Sequence, residues 1–281
     1  MRDDWTLVEP CAGSAALSLH LLGARRSLLP YQGSKWRFRH SLAAGAAELG
    51  FAGRPARVVL TDPGPWGDTL GVVLAAAARQ ALIEVLGAWC EEDARTVYER
   101  IHGRPVAEAP VQAAAEHLFL QRLAFSGKAV GVRGGRWASP GFNTSSAYGL
   151  PSTDRFGAVK PMMPSLVRVL AGYGAQLDAR VAVQVRRESA RAPAGPCART
   201  LVYLDPPYAG STAYPNGQMG QGEVQALAEA WRSAGAAVIV SEQRGVPLAS
   251  WARERLYRGR NDTSPFRGKQ EEWVTWASAA R

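Results

Sequence analysis

The stretch Leu201–Gly210, LVYLDPPYAG, holds the residues best placed to do chemistry. Leu201, Val202, Tyr203 and Leu204 form an apolar run of the length of a buried strand. The run stops at Asp205-Pro206-Pro207-Tyr208. Two consecutive prolines neither extend a strand nor enter a helix interior, because each lacks an N–H and fixes φ. The chain must leave the sheet in a stiff, extended turn. Asp205 and the Pro206 carbonyl then present two acceptors that suit an –NH2 group. Tyr208 offers a π-face for a flat base, worth roughly 1–3 kcal/mol. Accepting both protons of an exocyclic amine helps its nitrogen become tetrahedral. It also stabilises the positive charge that grows as the nitrogen attacks an electrophile. The plainer reading is a Pro-rich turn with a capping Asp, and the tetrapeptide alone leaves both open.

Other elements must bring a reactant to that turn. Thr6, Leu7 and Val8 read as a short strand, followed by Glu9-Pro10-Cys11-Ala12-Gly13-Ser14 and a helix over Ala15–Leu22. Strand, small-residue turn and helix form the opening unit of a doubly wound nucleotide-binding sheet, in which glycine lets the backbone approach a ligand. Arg57–Leu60 is a second buried strand ending at Asp62, the position from which an acid commonly accepts from a ribose diol. A loop-capping role for Asp62 stands beside that reading. Between the two strands, Ser34 is expected to cap a helix running to about Leu49.

The motifs agree with one family. D-P-P-Y after an apolar strand resembles the catalytic motif of nucleic-acid amino-methyltransferases, and its spelling is most similar to the Dam-like class of DNA adenine-N6 enzymes. VEPCAGSAALSL resembles that class's S-adenosylmethionine-binding motif, E-P-F-x-G, with Cys11 where the family has Phe. Tyr31-Gln32-Gly33-Ser34-Lys35 resembles a further signature, Y-x-G-x-K, whose Tyr and Lys line the cofactor and catalytic pocket. In the family this signature precedes the E-P-F-x-G strand; here it follows the first helix. The resemblance implies a Rossmann-like methyltransferase sheet that transfers a methyl group from S-adenosylmethionine to adenine N6 in DNA, with base flipping. Asp205, Pro206, Pro207 and Tyr208 would be catalytic. Glu9, Pro10, Cys11, Ala12, Gly13, Tyr31, Lys35, Asp62 and Asp205 would contact the cofactor. Cytosine-N4 or RNA adenine-N6 methylation, and an inactive nucleic-acid-binding relative, are the alternatives. A cognate restriction endonuclease or defence components are the partners such an enzyme implies besides DNA.

Residues 68–125 read as helical, with further helices at about 92–101 and from Pro110. From Ser126 to Gly149 the texture changes to glycines, basic residues and interleaved aromatics, with no acids. Gly134-Gly135 between two β-like runs predicts a hairpin. Lys128, Arg133, Arg136, Trp137 and Asn143 are its candidate DNA contacts. The family has a comparable segment, an F-x-G stretch followed by a short F-N run. The expected division is a catalytic domain over 1–90 and 166–281, and a helical insertion with basic hairpin over 91–165 for target recognition. Further on, Pro164–Tyr173 and Glu223–Ser233 read as helices, and Val181–Val185 and Ala236–Val240 as strands. A helix over 246–254, a strand-like stretch over 255–258, a basic loop with Arg258, Arg260, Arg267 and Lys269, and a strand over 272–276 complete the chain.

The composition fits. At 281 residues and 47% hydrophobic content the chain buries a sizeable core. A formal charge of +9 favours a polyanionic partner, although arginine-rich base bias would give the same balance. Cys11, Cys90 and Cys197 are far apart, odd in number and without CxxC spacing. Neither a disulfide framework nor a metal site is expected, and the economical location is cytoplasmic.

Overall fold

A computed structural model describes residues 4–29, 34–142, 159–177, 179–207, 219–242, 252–260 and 269–280. The first strand, β1 (Thr6–Glu9), lies inside the sheet. Helix α1 (Ala16–Leu21) follows, then a 3-10 turn over Trp36–Phe38, α2 (Arg39–Glu48) and β2 (Arg57–Thr61). A helical layer comes next: α3 (Pro65–Leu74), α4 (Ala76–Trp89), α5 (Ala94–Ile101) and α6 (Pro110–Leu123). The hairpin β3 (Gly131–Arg133) and β4 (Arg136–Ala138) precedes α7 (Val159–Gln176). The chain closes with β5 (Ala182–Arg186), β6 (Thr200–Leu204), α8 (Gln221–Ser233), β7 (Ala237–Glu242), β8 (Ala252–Arg260) and β9 (Lys269–Ala277).

The main sheet has the order β5-β2-β1-β6-β7-β9-β8. Strands β5, β2, β1, β6 and β7 pair in parallel, and β9 runs antiparallel to both β7 and β8. This is the expected Rossmann-like α/β sheet. Strand alternation divides its two faces. Leu7, Leu201, Tyr203 and Ile239 join the helical layer in one core, while Val8, Val202, Leu204, Val238 and Val240 meet Val224 and Ala228 of α8 on the other. Gly235, at φ +95°, follows the end of α8 and turns the chain into β7. No single helix among the described residues is long and apolar enough to cross a membrane.

Several elements differ from expectation. The helical run near 68–90 breaks at Ala75, and α3 and α4 meet at 106°. Arg79, 8% exposed, donates to the Val73 carbonyl at 2.8 Å, so the last turn of α3 is closed by a side chain from α4. Ser34 does not start α2; a 3-10 turn intervenes, and its Oγ accepts only a long bond from Trp36 N at 3.4 Å. Helix α7 is longer than Pro164–Tyr173 and carries Pro164 inside it, so the 165/166 boundary cuts a continuous helix. One apolar cluster joins Leu118, Phe119 and Leu170 to Leu7 and Leu60, so the helical layer shares the sheet's core. Residues 252–254 are strand rather than helix, and Arg258 and Arg260 lie in β8 rather than in a loop. Lys269 begins β9, and Arg267 lies outside the described residues.

The hairpin forms as predicted, with Gly134 and Gly135 at φ +56° and +72°. Its tryptophan does not serve as predicted. Trp137 is 3% exposed, stacks parallel to His117 at 5.9 Å, and donates its Nε1–H to Glu116 at 2.7 Å. A ring this engaged is core and cannot stack on a base. His117 is itself fully buried with Nδ1 on Thr69 Oγ1 at 2.8 Å, and burial pushes it down to about 3, so it stays neutral. Arg133 and Arg136 remain exposed, Lys128 is half-buried, and Asn143 lies outside the described residues.

Candidate active site

Strands β2, β1 and β6 end side by side, and the loops leaving them form the site. After β1 the backbone turns through Gly13 at φ +46° and Ala15 at φ +49°. Glycine adopts this region freely, whereas for Ala15 it costs about 1 kcal/mol. Two ties to β2 hold the turn. Ala12 N donates to the Thr61 carbonyl, and Thr61 Oγ1 donates to the Pro10 carbonyl, both at 2.9 Å. Asp62, just beyond β2, accepts from Gly13 N at 3.1 Å and Gly64 N at 2.8 Å. One carboxylate therefore fixes both the glycine turn and the entry to α3. Each of its oxygens has a second lone pair, so a ribose hydroxyl can still be accepted. Burial raises the Asp62 pKa, against the two N–H donors and Arg187.

Glu9 works beneath the turn. It is 1% exposed, and its Oε1 accepts from Ser18 N, in the first turn of α1, at 2.6 Å. An acid there satisfies an otherwise orphaned helix N–H. Burial pushes its carboxyl up to about 7, and the nearby Asp205 adds to the shift. Cys11 is partly exposed. Burial, then the Asp205 and Asp62 carboxylates, raise its thiol well above the usual range, so it is a neutral side chain and no nucleophile.

Asp205 stands at the end of β6 with 21% exposure, and Lys35 Nζ meets its Oδ1 at 2.9 Å. Lys35 is only 3% exposed. The far side of the turn is held by Met219 N, which donates to the Pro207 carbonyl at 3.1 Å, and Pro206 is buried. Beneath it, the hydroxyls of Tyr203 and Ser241 are hydrogen-bonded at 2.9 Å. The Ser14 and Ser34 hydroxyls, 3.3 Å apart, join the glycine turn to the segment carrying Lys35. Despite the motif's changed place in the chain, its Lys35 reaches the D-P-P turn. Sequence reasoning did not find Thr61, Ser14 or Ser34; hydroxyls carry no spacing signal of their own. Tyr31 and Tyr208 lie outside the described residues.

Comparison with known proteins adds little. No family model matches the chain, and no curated protein matches it in sequence. Among solved structures it is similar to the rRNA methyltransferase aviRa from Streptomyces viridochromogenes, at 16% identity and a TM-score of 0.31, over 100% of this chain and 78% of that one. The strand order and the site geometry therefore stand on their own.

Taken together, three acids (Glu9, Asp62, Asp205) and one lysine surround the carboxyl ends of adjacent parallel strands. Ligands of open α/β sheets bind there, where the strand order reverses. The acceptors that face the loops, Asp62 and Asp205, suit a ligand with a hydroxylated sugar and N–H groups. Among the described residues no cluster of His, Cys, Asp and Glu could hold a metal ion.

Proposed function

We propose that the protein transfers a methyl group from S-adenosylmethionine to the exocyclic N6 of adenine in DNA. The supporting observation is the Lys35–Asp205 ion pair at 2.9 Å, which puts two separate sequence motifs at one edge of the sheet. Glu9, Asp62 and Asp205 fit a cationic, ribose-bearing cofactor, with Gly13 and Ala12 lining its approach. The cofactor supplies an electrophilic methyl group. The chain's own part is positioning. Asp205 and the Pro206 carbonyl accept from N6, Tyr208 stacks on the ring, and Lys35 pairs with Asp205 and fixes its place. The adenine must be flipped out of the duplex, since its amine is otherwise stacked inside. Arg133, Arg136, Lys128 and Asn143 are the hairpin's contacts with DNA in this reading. A cognate restriction endonuclease or defence component would be the accompanying protein.

The test is Asp205→Asn. It should lower methylation by at least about 100-fold, the scale of losing one preorganised acceptor, while S-adenosylmethionine binding stays measurable by calorimetry. Turnover at the wild-type level would remove the mechanism. Separating the nucleosides of digested product distinguishes N6-methyladenine from N4-methylcytosine, and parallel DNA and RNA substrates decide the polymer.

A further inference from the structure

Between α1 and the Lys35 segment, Arg25 and Arg26 stand exposed on a firmly held backbone. Arg25 N donates to Gln176 Oε1 and the Tyr173 hydroxyl to the Arg26 carbonyl, each at 2.9 Å. Just before them Gly23, at φ +105°, lies so close to α7 that a Cβ would meet the Gln176 carbonyl at 2.6 Å. Neither arginine takes part in an ion pair among the described residues. With Ser27, Trp36, Arg122 and Ser165 they line a cleft of about 270 Å³, whose remaining walls are apolar and which has no acid in its lining. Trp36 follows Lys35 directly, so the cleft begins one residue from the candidate active site. The Trp36 ring is set in place by the Arg39 guanidinium at 4.8 Å from its centroid and by the edge of His20.

We infer that this cleft grips the phosphodiester backbone of the DNA strand flanking the target nucleotide; the identity of the polymer rests on the function proposed above. Guanidinium forks match phosphate oxygens in a bidentate way, and the exposed Arg25 and Arg26 stand side by side at this cleft. The cleft is smaller than the roughly 300–1,000 Å³ typical of pockets that enclose a small molecule. It suits a length of polymer crossing it. The serines add neutral donors, and Trp36 adds a surface for a sugar or base. Holding the Arg25 and Arg26 cations side by side costs self-repulsion, which a polyanion relieves.

The test uses the full chain with both arginines changed, Arg25→Gln and Arg26→Gln. A labelled short oligothymidylate is titrated by fluorescence anisotropy over a range of salt. The double variant should bind several-fold more weakly at low salt, and its slope of log affinity against log salt should shrink by about 1.4, two single-strand phosphate contacts. Its melting temperature should match the wild type. Unchanged affinity and slope would overturn the inference, as would polyglutamate displacing the oligonucleotide equally well. Methylation by the wild type is assayed separately on DNA and on RNA. Arginine-dependent binding without any methylation would therefore defeat only the proposed chemistry, leaving the cleft assignment standing.

Discussion

Lys35 and Trp36 are neighbours in the chain, yet they belong to regions built on opposite principles. Around Lys35 the groups are acidic, largely buried, and tied to one another across the sheet by Asp205, Asp62 and Glu9. Around Trp36 the charged groups are basic, and at Arg25 and Arg26 they are exposed while the ties hold the backbone. The difference teaches how a site and a surface are made. Where atoms must be placed, charge is desolvated and locked. At Arg25 and Arg26, charge is left in water on a firmly held backbone.

If that contrast is right, edge variants lose stability and cleft variants do not. The largest effect is expected for Lys35→Met. Breaking a buried ion pair costs about 3–5 kcal/mol, and the residual exposure of Asp205 places this one near about 3 kcal/mol. Denaturant unfolding measures it; a loss below about 1 kcal/mol would mean the pair contributes little, as exposed pairs do. Next comes Asp62→Ala, which strips the acceptor from two backbone N–H groups. About 2 kcal/mol should be lost, and cofactor binding should weaken as the glycine turn loosens. Full cofactor affinity in that variant would separate Asp62 from the site.

The smallest effect is a change in pH dependence. Glu9 has a folded pKa of about 7, above its ordinary 4.5. Between these values the folded state keeps a proton that the unfolded state has lost. The contribution is therefore fully present below about 4.5 and fades as pH rises through about 7. Buried neutral His117 acts oppositely, favouring the fold above its ordinary value and losing that contribution as pH falls toward 3. Comparing melting temperature against pH for wild type and Glu9→Gln isolates the first. The wild-type curve should fall relative to the variant between about pH 5 and 7, and parallel curves would refute the shift.

Much of this was legible because strands and turns leave local marks. The run Leu201–Leu204 and the stop at Pro206-Pro207 sufficed to place β6 and its turn, and Gly134-Gly135 sufficed for the hairpin. What was not legible depends on partners distant in the chain. Whether Trp137 faces DNA or the core is decided by Glu116 and His117. The break between α3 and α4 depends on where Arg79 can reach, and every residue there is a competent helix former. The cleft around Arg25 escaped notice because its members come from the link after α1, from α6 and from α7, and no window of sequence contains them together.

Pairing of β1 on one side with β2 and on the other with β6 carries a consequence for synthesis. The first partner emerges from the ribosome early, beginning at Arg57, but the second begins only at Thr200. Until then the middle of the future sheet has an open flank, and the helices made meanwhile have half a floor to rest on. A nascent chain halted before that point would offer a bare, apolar strand edge to its neighbours. Translation past Thr200 thus closes the flank that Thr6–Glu9 leave open.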